Sequence, residues 1–281
     1  MIDLHTHTTC SDGKDSPRTL INKAIIAGVQ VLALTDHDTT SGWSIASESL
    51  RGTIELVLGA EISCLTTDGI SVHVLGLLFD GENAVMQQML EQTSDARLPR
   101  MRKIIELMRA DGFDISMDDV DAAKPYGATL GRPHLADALV AKKIVKSREE
   151  AFMQLLNNGS KYYVSHAAPT PAEAISVIKS AGGVSIIAHP FASLRGRILE
   201  STDFQELVSA GLNAIEVDHR DHNPQEREAL RKIAEELKLV VTGSSDYHGS
   251  GKLNLLGENR THPAQWELLE SQADKRRVLR G

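Results

Sequence analysis

The chain is poor in cysteine, in aromatic residues and in long apolar runs, and each shortage removes a class of protein. Its 281 residues include two cysteines, Cys10 and Cys64. Two are too few for a disulfide framework or a Cys-based zinc motif, and they point to a reducing cytoplasm. No apolar run reaches the ~18 residues of a membrane span. The N-terminus shows no basic segment followed by an apolar one, so no secretory leader is expected. No Gly-x-Gly-x-x-Gly or Walker-type loop appears, which leaves nucleotide cofactors without support. Basic charge is also in deficit: 30 Lys and Arg against 38 Asp and Glu give a net charge of −8. That balance argues against bulk attachment to nucleic acid, and no stable nucleic-acid complex is expected. It leaves a phosphorylated substrate open, because a divalent cluster turns its own neighbourhood positive.

Histidine, by contrast, is abundant. Eleven histidines face only five Phe, two Trp and four Tyr. Most fall in fragments that end apolar runs: His5-Thr6-His7 with Ser11-Asp12-Gly13, Thr35-Asp36-His37-Asp38, Gly59-Ala60-Glu61, His73, Ala188-His189-Pro190 and Ser245-Asp246-Tyr247-His248. On an extended strand His5 and His7 share a face and can grip one ion.

Short apolar runs at 31–34, 54–58, 70–79, 184–188, 214–217 and 239–242 read as strands buried on both faces. Helices alternate with them: 17–27 after Ser16-Pro17 with Leu20, Ala24 and Ile25 on its buried face, 44–50, 83–110 interrupted near Leu98-Pro99, 170–181 and 224–237. Between 111 and 165 the alternation gives way to short helical pieces at 116–123, 133–143 and 147–156, the last with a capping box Ser147-x-x-Glu150. The tail from Trp266 to Leu279 reads as a polar helix. The expectation is an α/β fold with a parallel sheet, a barrel over 1–111 and 166–281 carrying a small helical insertion at 112–165. Polar residues at nearly all the strand ends favour a barrel over an open sheet with one switch point.

These motifs, in this order, resemble the PHP (polymerase and histidinol phosphatase) phosphoesterases over essentially the whole chain. Leu130-Gly131-Arg132-Pro133-His134 and Tyr163-Val164-Ser165-His166 resemble the TrpH/YciV branch. The resemblance implies a distorted (β/α)7 barrel, the PHP fold, holding two or three divalent ions. One ion would take His5, His7, Glu61 and Asp246; a second would share Glu61 and add His73 and His189; a third would take Asp12, His37 and His248. Mixed imidazole and carboxylate donors suit Mn first, then Fe or Zn, more than an all-oxygen Mg site. The implied activity is hydrolysis of 3′,5′-bisphosphorylated nucleotides, 5′-nucleotides or 5′-phosphorylated RNA ends, by attack of a bridging hydroxide held by Glu61 with His189 and Asp246.

Arg132 and His134 are candidates for a substrate phosphate, Arg through its bidentate fork. The rival role for both is to cap the helix beginning near Pro133. Arg197 is a second candidate and Lys161 a weaker one. His219 and His222 lie beyond the strand 214–217, either facing substrate or in a solvated loop. For His73 a satisfied core position is the rival, and Asp36 and Asp38 fit a supporting or capping role as well as a ligand role. His166 and His262 read as structural. Histidinol-phosphate hydrolysis, C–N bond cleavage by an amidohydrolase-type barrel and a non-catalytic metal-binding module are the competing functions, and the oligomeric state is not legible.

Overall fold

Successive side chains of a strand point to opposite faces, and here both faces are buried. The computed structural model describes residues 1–52 and 54–281. Val31 and Ala33 pack in one apolar cluster with Val57, Leu75, Ile186 and Ala214. Leu32 and Leu34 pack in another, with Leu20, Ile21 and Ala24 of the first helix. The first cluster fills the inside of a curved sheet and the second lies under its helices.

The sheet runs β1 (Ile2–Asp3), β2 (Val31–Leu34), β3 (Glu55–Leu65), β4 (Ser71–Leu77), β5 (Val184–Ala188), β6 (Ala214–Asp218) and β7 (Val240–Gly243), side by side in chain order. A bridge between Thr6 and Tyr247 brings its two ends together, with the His7 N–H donating to the Tyr247 carbonyl at 2.8 Å. The result is a nearly closed seven-stranded barrel. The outer layer holds α1 (Pro17–Ala27), α2 (Trp43–Glu48), α3 (Ala84–Asp95), α8 (Pro171–Ser180), α9 (Asp203–Ala210), α10 (Pro224–Leu237) and α11 (Pro263–Glu270). Ser16 caps α1 by accepting the Thr19 N–H, and Gly28 ends it at φ +77°.

Four local expectations are corrected. The sheet is mixed, because β4 runs antiparallel to both β3 and β5. A short turn around Gly69 joins β3 to β4, and a parallel return would need a crossover of about a dozen residues. Pairing with β4 also extends β3 to Leu65, so Glu61 sits mid-strand and not at a strand end. The tail helix begins earlier, at Pro263 with His262 as N-cap, and the chain then leaves it to form β8 (Leu279–Arg280) against β3. On α1, Ile21 is buried where Ile25 was expected, and Ile25 faces out.

Between β4 and β5 the chain builds a helical unit: α4 (Arg97–Ala110), α5 (Met117–Ala123), α6 (Arg132–Ala141) and α7 (Arg148–Ala151), which runs into a π-helical turn at Phe152–Leu156. The break between α3 and α4 falls at Ala96, and Pro99 lies in the first turn of α4, where no backbone donor is needed. This unit has its own core of Met101, Ile104, Met108, Val120, Leu135 and Leu139. Its capping box is half made, since Glu150 accepts from the Lys146 N–H and not from Ser147.

Candidate active site

The barrel brings its polar residues to one mouth by two routes. His5 and His7, His37, His189, and Asp246 and His248 follow β1, β2, β5 and β7, all of which run the same way. Glu61 and Glu216 lie within β3 and β6, on the face that carries Val57 and Ala214 into the barrel. His73 is the third residue of β4, but β4 is reversed, so its beginning meets the other strands' ends. His73 pairs with Ser63, which places it diagonally next to Glu61. Asp38, His189 and Asp246 take left-handed backbone, at φ +51°, +31° and +52°. Such strain in non-glycine residues concentrates where surrounding structure holds a site in place.

Around Glu61 five imidazoles converge. Oε1 lies 2.7 Å from His73 Nδ1 and 3.2 Å from His189 Nε2; Oε2 lies 3.3 Å from His5 Nε2 and 3.1 Å from both His7 Nε2 and His37 Nδ1. Asp246 Oδ1 stands 3.6 Å from His5 Nε2 and 3.5 Å from His7 Nε2. On the far side of His7, Asp12 lies 3.2 Å from His248 Nε2 and 3.8 Å from His37 Nε2. The three ligand sets implied by the motifs thus form one continuous buried cluster.

The donor set fits divalent ions on the orientation of its lone pairs. His5 Nδ1 is 3.1 Å from Glu216, so the carboxylate holds the proton there and leaves Nε2 bare. That Nε2 faces His7 Nε2 at 3.0 Å, nitrogen against nitrogen. His248 Nδ1 donates to the Asp246 carbonyl at 2.8 Å, which leaves its Nε2 bare as well. Among the described residues, His248 Nε2 and His37 Nδ1 are buried without a hydrogen-bond partner. Buried nitrogens left this way cost free energy unless something positive sits between them.

The electrostatics agree. Burial pushes the Glu61 carboxyl up, but His73, His37 and His5 outweigh it and hold it well below its ordinary value. Burial likewise opposes Lys252, His248 and His5 at Asp246, and again the cations win. Burial lowers the His7 imidazole, yet its bonds to Asp246 and Glu61 lift it to about 9. The carboxylates therefore call for positive charge between the two imidazoles of the His-x-His pair.

A cleft of about 920 Å³ opens between this mouth and the helical unit. Arg132 lines it, donating through Nη1 to the Leu156 carbonyl and Asn158, and stacks on Phe152 and Tyr163. His134 is turned away: its Nδ1 accepts the Gly131 N–H and closes the start of α6. Arg197 is exposed and paired with Asp68. Lys161 pairs with Asp111 at the surface. His219 and His222 are buried, so the solvated-loop reading is corrected; β6 ends in a turn that folds both back under the mouth. His219 Nε2 stands 3.4 Å from Asp246 Oδ2. His222 spends both nitrogens on backbone, Nδ1 donating to Val217 and Nε2 accepting from Phe191, and has no lone pair left for a ligand. Asp36 accepts from Thr8 and Ser11 and pins the loop between His7 and Asp12.

Several site residues escaped the sequence reading. Glu216 orients His5 and also accepts the His189 N–H at 2.8 Å. Within Ala-Ile-Glu-Val-Asp it reads as one polar residue in an apolar strand; a carboxylate buried at an inward position was the available signal. Arg195 and Lys252 donate to Asp246 Oδ2 at 2.9 and 2.7 Å and turn Oδ1 toward the imidazoles. Arg100 and His166 line the cleft beside Arg132. His166 closes the Tyr163-Val164-Ser165-His166 motif but reads there as structural; Arg195, Lys252 and Arg100 lie in no motif, and only the folded chain sets them beside the cluster.

Comparison with known proteins agrees with this geometry. Residues 3–118 match the PHP domain family model. The 3′,5′-nucleoside bisphosphate phosphatase of Chromobacterium violaceum is 31% identical over 252 residues, covering 89% of this chain and 88% of that protein. The 5′-3′ exoribonuclease Rnm of Escherichia coli is 30% identical over 280 residues, covering 95% and 93%. A Bifidobacterium adolescentis protein, solved as a candidate metal-dependent phosphoesterase, superposes with a TM-score of 0.91 at 38% identity, covering 97% of this chain and 96% of that one. No helix among the described residues is long and apolar enough to cross a membrane. The chain belongs to the PHP family of metal-dependent phosphoesterases.

Proposed function

We propose that this enzyme hydrolyses phosphate monoesters of nucleotides, with a 3′,5′-bisphosphorylated nucleotide or a 5′-phosphorylated RNA end as substrate and manganese as its first choice of metal. The observation that carries this reading is the contrast across the cleft. One wall is the imidazole–carboxylate cluster; the other presents Arg100 and Arg132, which donate to carbonyls and an amide and have no carboxylate partner among the described residues. Burial and mutual repulsion with Arg132 push the Arg100 guanidinium down to about 9, and burial brings Arg132 to about 10. An anionic group lying between them relieves that cost. A substrate with one phosphate at the cluster and a second toward the arginines meets both demands.

His5, His7, Glu61 and Asp246 would hold one ion, Glu61, His73 and His189 a second, and Asp12, His37 and His248 a third. Bound divalent ions would supply Lewis acidity toward the phosphoryl oxygens and acidify a water for in-line attack. Glu216 holds the His5 tautomer, and Lys252 with Arg195 aims Asp246. His166 and Arg100 flank Arg132, and the helical unit, 112–165 together with α4, acts as the wall that selects substrate.

Phosphate release with Mn²⁺ from adenosine 3′,5′-bisphosphate, AMP, a short 5′-phosphorylated RNA and histidinol phosphate tests the reading, with His5→Ala as control. Release from the nucleotides, lost in the variant, is expected. Turnover of histidinol phosphate alone would overturn it.

A further inference from the structure

His37 is aimed by the residue that follows it. Asp38 takes left-handed backbone, which a non-glycine residue adopts only under constraint. Its side chain supplies that constraint: Oδ1 accepts the Ser63 N–H at 2.8 Å, and Oδ2 accepts Arg97 Nε at 2.9 Å and Arg97 Nη2. The same guanidinium reaches two further elements. Nη2 donates to Ser63 Oγ at 2.7 Å, two residues beyond Glu61, and Nη1 donates to the Leu130 carbonyl at 3.0 Å, two residues before Arg132. Arg97 and Asp38 are 8% and 2% exposed, so this fork is sealed from water.

Arg97 opens α4, whose apolar face belongs to the core of the helical unit. A second tie lies at the other ligand loop. Arg148, at the start of α7, donates to the Asp12 carbonyl at 3.1 Å while its fork grips Asp137 of α6. The helical unit is therefore fastened to the barrel beside Asp12 and beside His37, two of the three groups that converge on the third ion position.

We propose that Arg97 is a positioning residue that couples occupancy of the Asp12–His37–His248 position to the placement of the helical unit, and with it of Arg132. The inference rests on the metal reading above. An ion that fixes His37 fixes the Asp38 turn, and Arg97 passes that order to α4 and to the segment before α6. By linkage, ordering the helical unit tightens the ion in return. Among the described residues the Asp246 side of the cluster has no such tie, and it is independent of Arg97.

The test is Mn²⁺ titration of the metal-free protein by calorimetry, with hydrogen exchange of residues 97–165 at zero and saturating Mn²⁺. Arg97→Lys keeps the charge and loses the fork. Arg97→Met with Asp38→Asn removes both charges and guards against misfolding from an uncompensated carboxylate. Arg276→Met, which removes a guanidinium from over Trp43, is the control. The weakest class of Mn²⁺ sites should lose ~10–100-fold in affinity in both Arg97 variants, the usual cost of losing an outer partner of a ligand. The tighter classes should be unchanged, and the Mn²⁺-dependent slowing of exchange in 97–165 should disappear. Unchanged affinities, equal weakening of every class, or persistent slowing would overturn the coupling while leaving the metal reading intact. Failure of the unaltered protein to bind Mn²⁺ would overturn both.

Discussion

The barrel mouth and the helical wall face one another across a single cleft, and they are built on opposite electrostatic plans. At the mouth every buried carboxylate has imidazole or cation neighbours: Glu61 meets five histidines, and Asp246 meets Lys252 and Arg195. On the wall Arg100 and Arg132 stack on Tyr163 and donate to carbonyls and an amide, with no carboxylate among the described residues to balance them. A compensated cluster with converging lone pairs is arranged for ions and chemistry. An uncompensated cationic wall suits the anionic group proposed for it. Changes at the mouth should therefore damage turnover, and changes on the wall should damage affinity.

The largest effect is expected at the centre of the mouth. Glu61→Gln removes the charge that five imidazoles share, and kcat should fall by more than ~10³-fold, beyond the usual loss of a single electrostatic stabiliser. Steady-state kinetics with Mn²⁺ checks this; retained kcat would break the contrast between mouth and wall. Next comes Glu216→Gln, which leaves His5 Nδ1 free to flip its proton. Metal affinity should drop by ~10–100-fold, read by titration of the metal-free protein. The wall comes third: Arg100→Met should raise KM for a bisphosphorylated nucleotide by ~10–100-fold with kcat little changed, the worth of one charged hydrogen bond. Equal KM values for mono- and bisphosphorylated substrates in the variant would show that Arg100 grips the second phosphate. His222→Leu should show the smallest kinetic effect. It removes two backbone partners under the mouth, so the midpoint of thermal unfolding should fall by the equivalent of ~1–3 kcal/mol while KM stays put. A raised KM there would restore His222 to the substrate site.

How far the chain could be read without its fold differs sharply between the two regions. His5, His7, Asp12, His37, His189, Asp246 and His248 were legible because each sits in a short polar motif closing an apolar run. Parallel strands carry such ends to one place. His73 was legible as a histidine in a strand, but its arrival at the mouth depends on β4 running backwards, which a short turn near Gly69 decides. Glu61 was legible as a candidate ligand and misplaced as a strand end, since only pairing with β4 shows where β3 stops. Glu216, Arg195, Lys252 and Arg100 carry no local signature. His134 and His222 show the converse: each stands where a motif or strand end promises a site, and each spends its nitrogens on the backbone.

Local patterning by itself determined the order of strands and helices, the caps of α1, the separate helical pieces and most of the histidines of the candidate metal cluster. These follow from spacing along the chain, through the period of a strand, the cap chemistry of a helix and the placement of polar residues at strand ends. Tertiary structure alone decided the closure of Thr6 on Tyr247 and which arginines find a carboxylate. It also decided that the helical unit is pinned beside Asp12 and His37. Those outcomes join residues tens to hundreds of positions apart, where geometry and charge compensation between distant segments, and not the neighbours in sequence, set the balance.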